Sequence, residues 1–160
     1  VLVSHSQTDS HCTSYTAKVL FLRLTRTIFR LIAVEESLAE LNKRLESKGK
    51  DPLPMARFRP NLVIKGAEAF AEDRMKVITI GDVILHVVSS CPRCKESCTD
   101  QTTGEVTPEP IETMRDFRMH KNEVYFAVNA VPAPGSLGKT IKLGDPVRVL
   151  QKGEPVWGDS

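Results

Sequence analysis

The sequence predicts a mostly β fold with a few helices, arranged as a meander or barrel, and two observations carry that expectation. From Leu62 onward the hydrophobic period is two, over residues 62–65, 77–80 and 83–89, the spacing that lines one face of a strand. Ahead of these, Leu38, Leu41 and Leu45 recur at helical spacing. A chain of 160 residues with 41% hydrophobic content can bury its own core as one domain.

Taken in order, residues 1–31 read as a head. Residues 1–16 are rich in Ser, Thr and His without periodicity, and are expected to be disordered, processed or cut from something longer. The apolar run over 19–34 is broken by Arg23, Arg26 and Arg30, well short of a membrane span. Those arginines have helical spacing, while the β-branched and aromatic residues between them suit a strand, and residues 27–34 are read as strand. A targeting peptide also fits the basic, acid-free composition.

The helix expected over 35–48 has Glu35 and Glu36 near its positive end, Lys48 near the other, an i,i+4 pair of Glu40 and Arg44, and Gly49 to close it. Pro52 and Pro54 then force an extended linker. Gly81 and Asp82 make a tight turn between the strands over 77–80 and 83–89. A long polar loop follows Cys91, then a short helix over 110–118 with proline in its first turn, and a strand over 124–131. Residues 140–143 and 146–150, joined by Gly144 and Asp145, spell a closing hairpin.

Composition excludes several functions. The 22 basic residues are balanced by 20 acidic ones, a formal charge of +2, and no basic aromatic face appears, so no nucleic-acid partner is expected. Three of the four cysteines crowd one stretch instead of spreading as a disulfide framework. A reducing, intracellular location follows, cytoplasmic or mitochondrial and not secreted. No Ser-His-Asp order or glycine-rich phosphate loop supports a hydrolase or nucleotide enzyme.

The chemistry gathers in C-P-R-C-K-E-S-C, Cys91 to Cys98. Thiolates prefer soft metals, and an arginine between two of them lowers thiol pKa while offering a fork for phosphate or carboxylate. A second polar cluster, R-F-R-P-N from Arg57 to Asn61, could meet the first in one cleft. Alternation places Phe58 on one face and both Arg57 and Arg59 on the other. Cys91, continuing the strand, reads as a packed small hydrophobe, and Cys98 as an incidental thiol. Three closely spaced cysteines with His86 upstream also admit a zinc or iron-sulfur corner, although no second pair of ligands is present. A thioredoxin-like C-P-R-C is weaker still, because no helical period follows it.

These residues also carry a resemblance. R-F-R-P-N-L-V-I-K-G, A-F-A-E-D, I-G-D-V, S-C-P-R-C, D-Q-T-T-G-E, E-P-I-E-T-M-R-D-F-R and I-K-L-G-D-P-V, in that order, resemble the MOSC domain of molybdenum cofactor sulfurases and amidoxime-reducing proteins. The resemblance implies a MOSC-type β-barrel over 32–152, with a tail over 153–160. It implies a pyranopterin molybdenum cofactor, with Cys94 as the protein thiolate on the metal and the catalytic ligand, and Arg59, Asn61 and Arg93 as cofactor contacts. It further implies a small N-oxygenated substrate and an external haem or flavin electron donor. Met75 stands where the family usually has tryptophan, and the family's longer N-terminal region is not matched by residues 1–31, so an N-terminally truncated domain is expected. Residues 98–101 resemble the sulfurase branch, which implies a non-catalytic cofactor-binding role, and residues 109–113 the reductase branch.

Overall fold

A computed structural model describes residues 14–18, 21–23 and 30–157. The strands are β1 (Ser14–Lys18), β2 (Phe21–Arg23), β3 (Arg30–Val34), β4 (Leu62–Lys65), β5 (Met75–Ile80), β6 (Val83–Pro92), β7 (Met119–His120), β8 (Glu123–Pro132), β9 (Thr140–Lys142) and β10 (Pro146–Lys152), with helices α1 (Glu35–Ser47) and α2 (Ile111–Arg118). Seven of them close a barrel in the order β3-β4-β1-β10-β5-β6-β8, because β8 pairs back onto β3. The short β7 adds to β8 outside the ring. Ring neighbours are antiparallel except β3 and β4, whose parallel pairing requires a crossover, and α1 is that crossover.

The period of two fills the barrel. Ile32, Leu62, Ile78, Ile80 and Leu85 are fully buried inside it. The opposite faces of β3 and β8 carry Ala33 and Phe126 into a second core under the helices, completed by Leu38, Leu41, Leu45 and Met114. Among the described residues no helix is long and apolar enough to cross a membrane.

Two expectations need correction. Ser14–Lys18 belongs to the stretch read as disordered head, yet it is the strand that closes the barrel between β4 and β10. Its sequence, S-Y-T-A-K, has no apolar run, and its order comes from ladders on both sides. The strand read over 27–34 is observed from Arg30, and residues 27–29 lie outside the described residues. The closing hairpin does not form. Its turn is present, with the Lys142 N–H donating to Asp145 Oδ2 at 2.8 Å. Barrel closure nevertheless draws β10 between β1 and β5 and leaves β9 to pair with β2.

Between β4 and β5 a 3-10 turn, Ala71–Arg74, buries two carboxylates beneath α1. Asp73 takes a bidentate ion pair from Arg118, and Glu72 Oε2 accepts from the Ser37 hydroxyl at 2.9 Å while Oε1 has no partner. Burial, then the like charge of Asp73, pushes the Glu72 carboxyl up to about 7 from its ordinary 4.5. The folded chain thus keeps a proton that the unfolded chain releases, so stability falls as pH rises from 4.5 to about 7. At about 1.4 kcal/mol per pH unit the loss is about 3 kcal/mol. Glu72→Gln is expected to remove this slope and to be the more stable protein at pH 8. Denaturation midpoints at pH 5 and pH 8 measure it, and a variant with the parent's slope contradicts the assignment.

Candidate functional site

The two polar clusters do meet. A cavity of about 370 Å3 on the helix-side flank of the barrel is lined by Leu31, Arg57, Phe58, Arg59, Cys91, Pro92, Arg93, Cys94, Glu96 and Ser97. Three of the four residues expected to hold cofactor, Arg59, Arg93 and Cys94, therefore share one wall. Asn61 is not in the lining. Its Oδ1 accepts the Leu31 N–H at 2.8 Å and its own N–H returns to the Leu31 carbonyl at 2.9 Å, so it clamps the end of β3 where Leu31 enters the cavity.

The strand-like alternation expected at Arg57 and Arg59 is not what places them. Residues Met55–Phe58 form a 3-10 turn, and Arg59 ends it in the left-handed region at φ 55°, a conformation that is strained for any residue but glycine. Phe58 is fully buried and stacks on Phe126 with ring centroids 4.0 Å apart, which anchors the turn and splays the two arginines. Arg57 turns inward, with a side chain 7% exposed and Nη2 on Asp100 Oδ2 at 2.7 Å, whereas Arg59 is 66% exposed. Asp100 in turn accepts the Thr102 and Thr103 N–H groups, and those bonds, Thr103 first, hold its carboxyl below the usual range, with Arg57 adding to the effect.

Cys91 also departs from expectation. Uninterrupted alternation along β6 would point it into the barrel with Val83, Leu85 and Val87. A register shift between Val87 and Ser89 instead turns Ser90 inward, opposite Val128, and leaves Cys91 half-buried on the cavity wall. A second irregularity, between Ser90 and Pro92, faces Ala127 at φ 67° on β8. Bulges of this kind re-aim side chains beside functional sites. Nothing in a period-two pattern signals them.

Arg93 is held by its backbone N–H on the Val124 carbonyl at 2.8 Å, by Nη2 on the Phe58 carbonyl at 2.9 Å and by Nη1 on Cys91 Sγ at 3.2 Å. Its Nε and the Nη1 of Arg57 are buried with no acceptor. Cys94 is exposed and caps the 3-10 turn Lys95–Cys98, where its carbonyl accepts from both N–H and Oγ of Ser97. Cys98 is buried and directs its thiol at the Pro108 carbonyl, away from the other two. Among the described residues no three His, Cys, Asp or Glu side chains converge, so the zinc or iron-sulfur corner lacks a ligand set. Three arginines and one exposed cysteine around a single cavity suit an anionic group that carries a soft metal. Leu31, Glu96 and Ser97 are lining residues to which the sequence assigned no role: Leu31 lies in the strand ahead of the helix, and Glu96 and Ser97 lie within C-P-R-C-K-E-S-C without being soft-metal ligands.

Fold and cavity together define a closed-barrel domain with a cavity on its flank lined by cysteine and arginine side chains. Residues 30–148 match the family model of the MOSC domain, and the chain belongs to that family. Mitochondrial amidoxime reducing component 2 of Rattus norvegicus is 39% identical over 77% of this chain and 34% of its own length. Mitochondrial amidoxime-reducing component 1 of Homo sapiens is 39% identical over 75% of this chain and 36% of its own. Molybdenum cofactor sulfurase of Oryza sativa subsp. japonica is 36% identical over 61% of this chain and 13% of its own. The chain thus spans about a third of the amidoxime-reducing relatives. Among solved structures, that of a hypothetical protein superposes with a TM-score of 0.57 at 10% identity, over 91% of this chain and 72% of the other, and shows the same fold.

Proposed function

We propose that this domain binds a pyranopterin molybdenum cofactor and serves a molybdenum-dependent reductase of N-oxygenated substrates. The observation that carries the reading is the convergence of the exposed Cys94 with the Arg57, Arg59 and Arg93 side chains around one cavity. When bound, the molybdenum supplies the two-electron chemistry. The protein's part is positional. Cys94 would offer its sulfur from a hydrogen-bonded turn, the exposed Arg59 guanidinium would offer a fork to the cofactor's anionic groups, Arg93 would add its positive charge from the cavity wall, and Asn61 fixes the end of β3 where Leu31 enters the cavity. Phe58 and Leu31 exclude water from one side. Electrons come from a separate haem or flavin protein, and the mitochondrial names of the relatives suit a mitochondrial location.

A second reading is favoured by the similarity to a molybdenum cofactor sulfurase, namely that the domain holds cofactor for sulfuration or transfer without reducing anything itself. Both readings share the first test. Purified from a host that makes the cofactor, the chain is expected to contain molybdenum and to yield a fluorescent pterin on oxidation. Stoichiometric zinc or iron without pterin would overturn both. Reduction of benzamidoxime with an artificial donor then separates them.

A further inference from the structure

We propose that Glu96 sets the charge of the substrate admitted to this cavity, favouring basic or cationic N-oxygenated compounds over anionic ones. The identity of the substrate rests on the reductase reading; the electrostatic selection needs only an anion on Arg59. Glu96 stands two residues beyond Cys94 on the same 3-10 turn and lines the same cavity. Its side chain is 76% exposed and lies 3.6 Å from Arg59 Nη1, itself 66% exposed. Such a solvated, loose pair stabilises little and is easily exchanged.

The three arginines of the lining are not equally free. Arg57 is locked to Asp100 at 2.7 Å with 7% exposure, and Arg93 is committed to the Phe58 carbonyl and Cys91 Sγ. Arg59 is the one that an incoming anion can draw away. A phosphate monoester carries about 1.5 to 2 negative charges and forms a bidentate pair with arginine, so it competes well against one exposed carboxylate. With Arg59 so engaged, Glu96 is left as a surplus negative charge beside Cys94. The neighbouring Leu31, Phe58 and Pro92 supply apolar walls, which concentrate its field.

A carboxylate at that place suits the chemistry. Reduction of an amidoxime takes two electrons from the donor protein and two protons, breaks the N–O bond, and releases water and an amidine. The amidine is a strong base that takes a further proton and leaves as a cation. Glu96 would be the counter-charge for a basic head group, with the apolar wall for the body it is attached to. A carboxylate-bearing substrate would meet repulsion at the same point.

Cys94 is itself the reporter for the test. A thiolate attacks a methanethiosulfonate, forming a mixed disulfide and releasing methanesulfinate, and the reagent exists in trimethylammonium and sulfonate forms with the same reactive end. The full chain, made in a host without the cofactor and held in saturating inorganic phosphate to engage Arg59, is labelled with each form, and rates from Cys94→Ser are subtracted as background. Glu96→Gln is expected to lower the ratio of cationic to anionic labelling by about threefold to tenfold, and high salt to shrink that difference. In cofactor-loaded protein the same variant should lower, by a similar factor, the ratio of kcat/KM for a trimethylammonium-substituted over a carboxylate-substituted benzamidoxime. A labelling ratio that does not move overturns the proposal. Loaded protein that reduces neither compound overturns the reductase reading instead, while the labelling ratio still decides the role of Glu96.

Discussion

Asp73→Ala is expected to destabilise the domain by about 3 to 5 kcal/mol, because it leaves the Arg118 guanidinium buried without its counter-ion. The pair is the most enclosed in the described structure, with side chains 8% and 7% exposed and contacts of 2.7 and 3.0 Å. Arg118 has few alternatives. Its Nε is already on the Tyr125 carbonyl at 2.9 Å, and its face lies over the Phe70 ring at 4.3 Å. The pair also ties the Ala71–Arg74 turn to the end of α2 and to β8, so its loss loosens the second core from two sides. For a domain of this size each kcal/mol is roughly 2 to 4 °C, and a drop of about 6 to 20 °C in Tm is expected. Replacing both partners, Asp73→Ala with Arg118→Met, should recover much of that loss, since an apolar side chain needs no partner there. A single variant that melts within about 2 °C of the parent would show that water reaches the guanidinium.

The barrel was legible because its inner face obeys a strict period. Ile78, Ile80, Val83 and Leu85 alternate with exposed or half-buried neighbours, and a slip of one residue would have inverted them. Helix α1 was legible for the same kind of reason, with Leu38, Leu41 and Leu45 buried as their spacing requires. What escaped was whatever depends on partners distant in the chain. Ser14–Lys18 is a strand because β4 and β10 flank it, and β9 leaves β10 because the ring has already filled both of that strand's edges. At the site, residue types were readable and directions were not. Arg59, Arg93 and Cys94 reach one cavity, but the 3-10 turn at Met55–Phe58 and the bulges in β6 decide which side chains face it. Periodicity argued for a packed Cys91; the register shift put it on the cavity wall.

Those directions set the last expectation, that Cys94→Ser abolishes the reductase activity proposed for this domain while the chain still folds. Cys94 is exposed, and what holds its turn is its backbone: the carbonyl accepts from the Ser97 N–H at 3.1 Å and from Ser97 Oγ at 2.8 Å. Neither bond involves the thiol, so the variant should stay within about 0.5 kcal/mol of the parent. It should also keep much of its pterin, because Arg59 and Arg93 are untouched. Serine is a harder and far more basic ligand than a thiolate, and is a poor substitute on a soft metal. Cys91→Ser is the control. Its sulfur accepts from Arg93 Nη1 at 3.2 Å, a role a hydroxyl oxygen can take, and it is only half-buried. That variant should cost about 1 kcal/mol or less and keep its activity. Measuring metal, pterin, Tm and benzamidoxime reduction on the two variants side by side separates ligand from scaffold. The assignment fails if Cys94→Ser reduces substrate at the parent rate, or if Cys91→Ser alone silences a protein that melts normally.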